Sequence, residues 1–326
     1  MIIRFHHYWI YAYLMSIFFA TSCVTYEKVN IQVLKKAQVS LNNEMSKIVL
    51  INNSVKRQSK SFSLDSICSK AYFSGLMQLA YNSPRFNKVF YPEITLINKS
   101  INNKSNIDWN RIESIILDST ANGAIVLRNF VINYTQPELY RYQDGSGYYS
   151  TLQVENEAHW IVYNASNKKI IDDIIIKDTL YWDANGIYDY EVYDQLPDLN
   201  SAIIQSCYYA GMKYAERIFQ TWITENRYLM IVQNEVFMNG LNYFKSGDYI
   251  KAIDTWKKYA DNKNKRLAAY ACFNIAIACE MLDKIDIALE WAAKSYLHKP
   301  DNYTEYYISL LEERKKEKTE IEKQLE

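Results

Sequence analysis

Four small or aromatic residues recur at a fixed interval near the C-terminus, and that recurrence constrains the fold of this chain more than any other feature. Gly240, Tyr243, Ala252 and Trp256 stand at offsets 0, 3, 12 and 16. Thirty-six residues later Ala276, Cys279, Ala288 and Ala292 repeat the spacing. Ser246-Gly247-Asp248-Tyr249 and Leu282-Asp283-Lys284 fall where each unit must turn. A period of this length is read as stacked helix–turn–helix pairs. Small residues at Ala252, Ala276 and Ala288 let two helices approach, and Tyr243 and Trp256 are expected to fill the space between them. One pair cannot bury its apolar face alone. A helical stripe over Leu196–Trp222 and a helix over Asn302–Glu313 are expected to supply the missing layers. The tail from Glu312 to Glu326 is almost all Glu, Lys and Gln, the composition of a solvated capping helix.

The other end of the chain has a different character. Arg4 is the one charged residue before Glu27, and Tyr8–Ala20 is almost wholly apolar or aromatic. Thirteen residues are too few for the roughly 20 that span a bilayer as a helix. A positive start, a short apolar run and small residues describe a signal peptide. The run closes Phe19-Ala20-Thr21-Ser22-Cys23, which resembles a bacterial lipobox. That resemblance implies removal of residues 1–22 and lipidation of Cys23. Cleavage would also remove His6 and His7 and leave His159 and His298, too few for a multi-histidine metal site in one chain. No metal or cofactor is expected. Lys+Arg and Asp+Glu are 37 each, so the basic surplus of a nucleic-acid partner is absent. Cys68, Cys207, Cys272 and Cys279 lie in apolar helical patterns and read as buried thiols. Cys272 and Cys279 are about 10 Å apart along a helix axis, beyond disulfide reach.

Between these ends the period of the apolar residues alternates. Val29–Lys36 and Lys47–Asn53 read as strands, Leu64–Tyr81 as a helix stopped by Asn82-Ser83-Pro84, and Phe86–Tyr91 as a short strand. Asp108 reads as the N-cap of a helix that Asn122-Gly123 ends. Ala124–Ile132, Leu152–Tyr163 and Lys169–Lys177 read as strands, the last two joined by a hairpin over Asn164–Asn167. Order and type predict an α+β (or α/β) domain with a mixed sheet, followed by an all-α array of helical hairpins.

Site chemistry is sparse in this middle part. Asp144-Gly145-Ser146-Gly147 reads as a hairpin turn rather than a phosphate loop. Asp172 and Asp173 point to opposite faces of a strand, and a solvated edge is expected for them. His159 beside Trp160 reads as a satisfied structural histidine. Tyrosine is the unusual feature, with 29 in the chain. Tyr140, Tyr142, Tyr148 and Tyr149 flank the glycine turn; Tyr181, Trp182, Tyr188, Tyr190 and Tyr193 flank Asn185-Gly186. Tyrosine suits strands, so sheet packing is the plainer account of them. Stacking on a sugar ring or on a protein partner is the alternative. It would use Tyr142, Tyr148, Tyr149, Trp182 and Tyr188.

The Gly240–Trp256 unit and its repeat resemble tetratricopeptide (TPR) repeats, with Pro300 at the closing-proline position. The mature chain as a whole resembles a family of bacterial envelope lipoproteins of unknown function that join an N-terminal α/β domain to TPR-like helices. The resemblance is carried by Cys23, the Lys47–Asn53 strand, Ser83-Pro84-Arg85-Phe86, the Asn122-Gly123-Ala124 step and the repeat. It implies a signal peptide at 1–22, a lipidated tether at 23–28, an α/β domain at 29–225, repeats at 226–313 and a charged helix at 314–326. A repeat array without site chemistry reads as a non-enzymatic adaptor or assembly factor, expected at the outer membrane facing the periplasm and meeting a protein partner at the repeats. Val24 after Cys23 lacks the acidic signal that retains lipoproteins at the inner membrane. Glycan binding through the tyrosine-rich loops is the second expectation, and a carboxylate-pair hydrolase a distant third.

Overall fold

A computed structural model describes residues 25–41, 45, 47–54, 62–84, 90–95 and 107–325. The signal peptide, Cys23 and the Arg85-Phe86 step lie outside the described residues. The chain divides into two compact units. A sheet unit holds Leu34–Trp222 with residues 320–326, and a helical unit holds Ile223–Thr319 with the segment up to Val33.

In the sheet unit, β2 (Ile48–Asn52) pairs in parallel with β3 (Phe90–Thr95) and with β4 (Gly123–Thr135). β4 runs antiparallel to β6 (Tyr148–Asn164), and β6 antiparallel to β7 (Lys169–Gly186). The two-residue β5 (Tyr140–Arg141) continues the β4 side of β6. The sheet is therefore mixed, with order β3-β2-β4-β6 and β7 on the far side of β6.

Alternation along β6 sorts its side chains. Leu152, Val154, Ala158, Trp160 and Val162 face the main core, shared with α1 (Phe62–Ala80) and α4 (Leu199–Ile218). Ile161 and Tyr163 face the opposite side, where α2 (Trp109–Asp118) lays down Ile112, Ile115 and Ile116. The expected cap is in place, with Asp108 accepting from the Arg111 amide. α1 and α4 meet at glycines: a Cβ on Gly211 would lie 2.0 Å from the Tyr72 carbonyl, and one on Gly75 1.9 Å from that of Tyr208. Trp160 fills the space beneath, stacked on Tyr214 at 4.7 Å and edge-on to Phe73 at 5.7 Å. Burying such a ring contributes about 2–3 kcal/mol.

The helical unit contains two helical hairpins. They are α5 (Glu235–Lys245) with α6 (Tyr249–Lys257), and α7 (Lys265–Met281) with α8 (Ile285–His298). α9 (Asn302–Leu325) follows as one continuous helix. Its residues from Glu320 onward count with the sheet unit, where Gln324 bonds both backbone groups of Ala37. Ile321 is buried, so the tail is more than a solvated cap. Asn234 and Asp248 cap α5 and α6 with their side chains. Gly240 sits against Trp256: a Cβ there would meet the indole Nε1 at 2.1 Å.

Three expectations are corrected here. Tyr243 is 40% exposed and does not fill the inter-helix space; Phe237, Leu241 and Phe244 do so with Trp256. The stripe expected to stay helical to Trp222 ends at Ile218, and Thr221–Ile231 forms a further strand, β8, which pairs with β1 (Thr25–Lys35). Asp172 is buried rather than solvated. Arg217 of α4 grips it with two hydrogen bonds of 2.9 and 3.0 Å.

Candidate binding surface at the tyrosine-rich end

The β6–β7 ladder brings the two tyrosine-rich segments together. Its register sets Tyr148 opposite Gly186 and Tyr149 opposite Asn185. The chain around Gly147 can approach because it carries no side chain: a Cβ would stand 2.3 Å from the Gly186 carbonyl. The turn is internally bonded, with the Tyr142 amide on the Gly147 carbonyl and the Ser146 amide on the Asp144 carboxylate, each at 3.0 Å. The Ser146 hydroxyl, and then its amide, hold Asp144 below its ordinary pKa.

On one side of this junction Tyr149 lies between two rings. It stacks on Tyr140 at 5.4 Å and meets Tyr142 at 5.0 Å. The Tyr140 hydroxyl donates to Glu138 at 2.7 Å, which raises the pKa of Tyr140. Arg141 stands 6.0 Å over Tyr148. On the other side α3 (Asp189–Gln195) follows β7. The Glu191 carboxylate accepts from the Ile187 and Tyr188 amides, and Gln195 donates to the Asn185 carbonyl. Val192 is fully buried and fastens the helix. Tyr188 and Tyr190 stack at 5.6 Å with planes 9° apart. They remain 56% and 58% exposed, and Tyr193 is exposed beside them.

The result is a firmly held backbone carrying exposed rings, with the carboxylates of Glu138, Asp144, Asp183 and Asp189 in the same segments. Of the expected ligand residues, Tyr142, Tyr149 and Tyr188 stand exposed, Tyr148 is half-buried, and Trp182 packs against the main core opposite Leu152. Tyr140 and Tyr190 belong with the exposed rings as stacking partners. Alternation along the strands separates Trp182 from its neighbour Tyr181, which is exposed.

Other groups sit elsewhere. His159 pairs with Asp173 at 2.5 Å on the open face of the sheet. At the hairpin end of β6, a hollow of about 440 Å³ lies between α2 and Ala165–Lys168. There the Tyr163 hydroxyl and then Lys168 bond Glu113 and lower its pKa, while burial and Glu113 push Tyr163 up to about 12. Cys68, Cys207, Cys272 and Cys279 are buried free thiols. Among the described residues no cluster of three His, Cys, Asp or Glu is placed to hold a metal ion, and no helix is long and apolar enough to cross a membrane.

In the helical unit the inner side of α7 is already occupied by the same chain. Asn274 donates to the Met230 carbonyl and accepts from the Met230 amide, at 2.9 and 2.8 Å. Tyr303 and Tyr307 of α9 pack on Phe273 at 5.3 and 5.0 Å. Glu280, fully buried, accepts from Arg227, Arg314 and the Tyr307 hydroxyl. Residues Ala268–Glu280 are buried without a break.

Residues 39–229, well over half of the chain, match the profile of a family described as a domain of unknown function, DUF8603. The chain belongs to this family. The DUF8603 segment contains the whole tyrosine-rich end. Residues 239–319 match a second domain of unknown function, DUF6340. No curated protein matches the chain. Among solved structures, it is similar to a Helicobacter pylori homologue of the neuraminyllactose-binding hemagglutinin. The identity is 13% and the TM-score 0.31, over 55% of this chain and 86% of that one. It is also similar to the PelC dodecamer of Paraburkholderia phytofirmans (9% identity, TM-score 0.23, 59% and 98% covered). A third is a Caulobacter crescentus CB15 protein described as a lipoprotein (9%, 0.21, 53% and 87%). Likenesses this slight establish neither a fold nor an activity.

Proposed function

We propose that this DUF8603 chain is a lipid-anchored envelope protein, tethered at Cys23, that binds glycan at its tyrosine-rich end without catalysing a reaction. The observation that carries the proposal is the convergence of Tyr140, Tyr142 and Tyr149 with Tyr188 and Tyr190 through the β6–β7 ladder, with their rings exposed. Sugar rings present apolar C–H faces that pack on aromatic faces, and their hydroxyls donate to carboxylates. This end of the sheet unit offers both groups on an internally bonded frame. Such preorganisation keeps down the entropy lost on binding.

The test uses the full chain and purified cell-wall fragments. Wild type is expected to bind. Tyr149→Ala and Tyr188→Ala should each weaken binding by about 1 kcal/mol, or about fivefold. Tyr243→Ala, in the helical unit, should leave binding unchanged. Absence of binding by wild type, or equal binding by all variants, rejects the reading.

A second reading keeps the helical unit as a TPR-like adaptor for a protein partner. Close helix packing at Gly240 supports it. Residues Ala268–Glu280 of α7 are buried, so a partner would meet the exposed faces of α6, α8 and α9. Ile250, Ile287, Leu297 and Tyr306 are exposed in this unit. Capture of one specific protein, lost with Leu297→Arg, would favour this reading over glycan binding.

A further inference from the structure

Among the described residues β7 forms one border of the sheet, and its outer edge is long. It pairs with β6 over Lys169–Gly186. The side chains at odd positions, Asp173, Ile175 and Lys177, stand on the open face and are 46%, 52% and 70% exposed. Those at even positions lean on the core. The Ala165 amide bonds the Asn122 carbonyl, so odd positions of β6 turn their backbone groups to β4 and even positions to β7, whose even positions face them. The Lys177 carbonyl therefore points outward, where it accepts from Lys213 Nζ at 3.4 Å. By the alternation along a strand, the backbone groups of Asp173 and Ile175 point outward too. An edge with outward-facing amides and carbonyls is a template for another strand.

The charge pattern along this edge is complementary to itself. In an antiparallel pair of two β7 strands centred on Ile175, Asp173 of one copy stands opposite Lys177 of the other, and the reverse. Ile175 faces Ile175, and Ile174 faces Ile176 across the core-side face. Asp172 would face Asp178, but each already has its own cation from α4: Arg217 on Asp172 and Lys213 on Asp178. A shift of the centre by two residues sets like charges opposite each other, Asp173 on Asp173 or Lys177 on Lys177. Glu157 of β6 lies beside Lys177 at 2.6 Å. The paired arrangement therefore extends a row of alternating charge from one sheet into the next.

We propose that the outer edge of β7 pairs with the same edge of a second copy of this chain, antiparallel and centred on Ile175, to form a continuous sheet across a two-fold dimer. Opposite-charge pairs directly across a ladder are favourable, and like charges there oppose pairing. A two-fold interface applies each pair twice.

The experiment is sedimentation of the full chain in detergent across a concentration series. Wild type is expected to dimerise. Lys177→Asp sets two carboxylates against each other twice and should weaken association by about tenfold or more. Asp173→Lys combined with Lys177→Asp restores opposite charges and should recover the dimer. Partners in such a pair lie about 5.5 Å apart at Cα, within disulfide range. Ile175→Cys should therefore form a reducible covalent dimer on mild oxidation, above the level given by wild type, and Ile170→Cys should not. Melting curves of each variant confirm that it is folded. A wild type that stays monomeric overturns the proposal. So does a dimer indifferent to the charge exchange, or one in which Ile175→Cys fails to crosslink.

Discussion

Gly240 and Trp256 show how one missing side chain determines a packing arrangement. The indole occupies the space that a Cβ at Gly240 would need, and it is fully buried, so it has nowhere to swing. Gly240→Ala should cost about 1–3 kcal/mol, seen as an earlier urea midpoint with the slope unchanged. A variant as stable as wild type would mean that α5 and α6 can separate at little cost. The spacing placed Gly240, Ala252 and Trp256 in one helical pair and Trp256 between its helices, but not the direct approach of Gly240 to the indole. Tyr243 was misread because its offset fits the repeat while its side chain faces solvent beside Lys251. Asp172 was misread for a different reason. Its partner Arg217 lies 45 positions away on another element, and nothing local announces a buried ion pair.

At the scale of elements, the alternation of apolar periods was enough to place the mixed sheet, its covering helices and the helical hairpins. β8 escaped because Glu225, Asn226 and Arg227 interrupt its apolar residues and its partner β1 lies almost two hundred residues earlier. α7 then completes what β1 leaves open. The Asn274 side chain bonds the amide and carbonyl of Met230 as a neighbouring strand would. Asn274→Leu keeps the volume and leaves two buried backbone groups without partners. The expected loss is about 2–4 kcal/mol, measured as a drop in melting temperature. An unchanged melting temperature would show that the two bonds do not stabilise the helical unit. The tyrosine-rich segments were equally visible as composition. Their convergence was not, because it depends on the register of a hairpin whose strands run well past the predicted Lys177.

For the molecule as a whole, each unit encloses its own apolar core. Glu280 lies in one of them, with two arginines aimed at it. Glu280→Gln removes the charge and leaves Arg314 and much of Arg227 uncompensated, at a cost of about 3–5 kcal/mol. Hydrogen exchange should then quicken across residues 223–319, while the amides of β4 and β6 keep their protection. Equal quickening in β4 and β6 would mean that the two cores unfold as one. The β6–β7 hairpin has a consequence of another kind. Its strands stay in step from Asn164 opposite Lys169 to Tyr148 opposite Gly186, with one irregularity near Val162. Because faces alternate residue by residue, losing one residue between Ile174 and Trp182 would turn every later side chain of β7 to the other side. Trp182 would leave the core and Asp183 would enter it. The hairpin therefore behaves like a reading frame: over generations its letters can change, but single insertions or deletions within it should be purged.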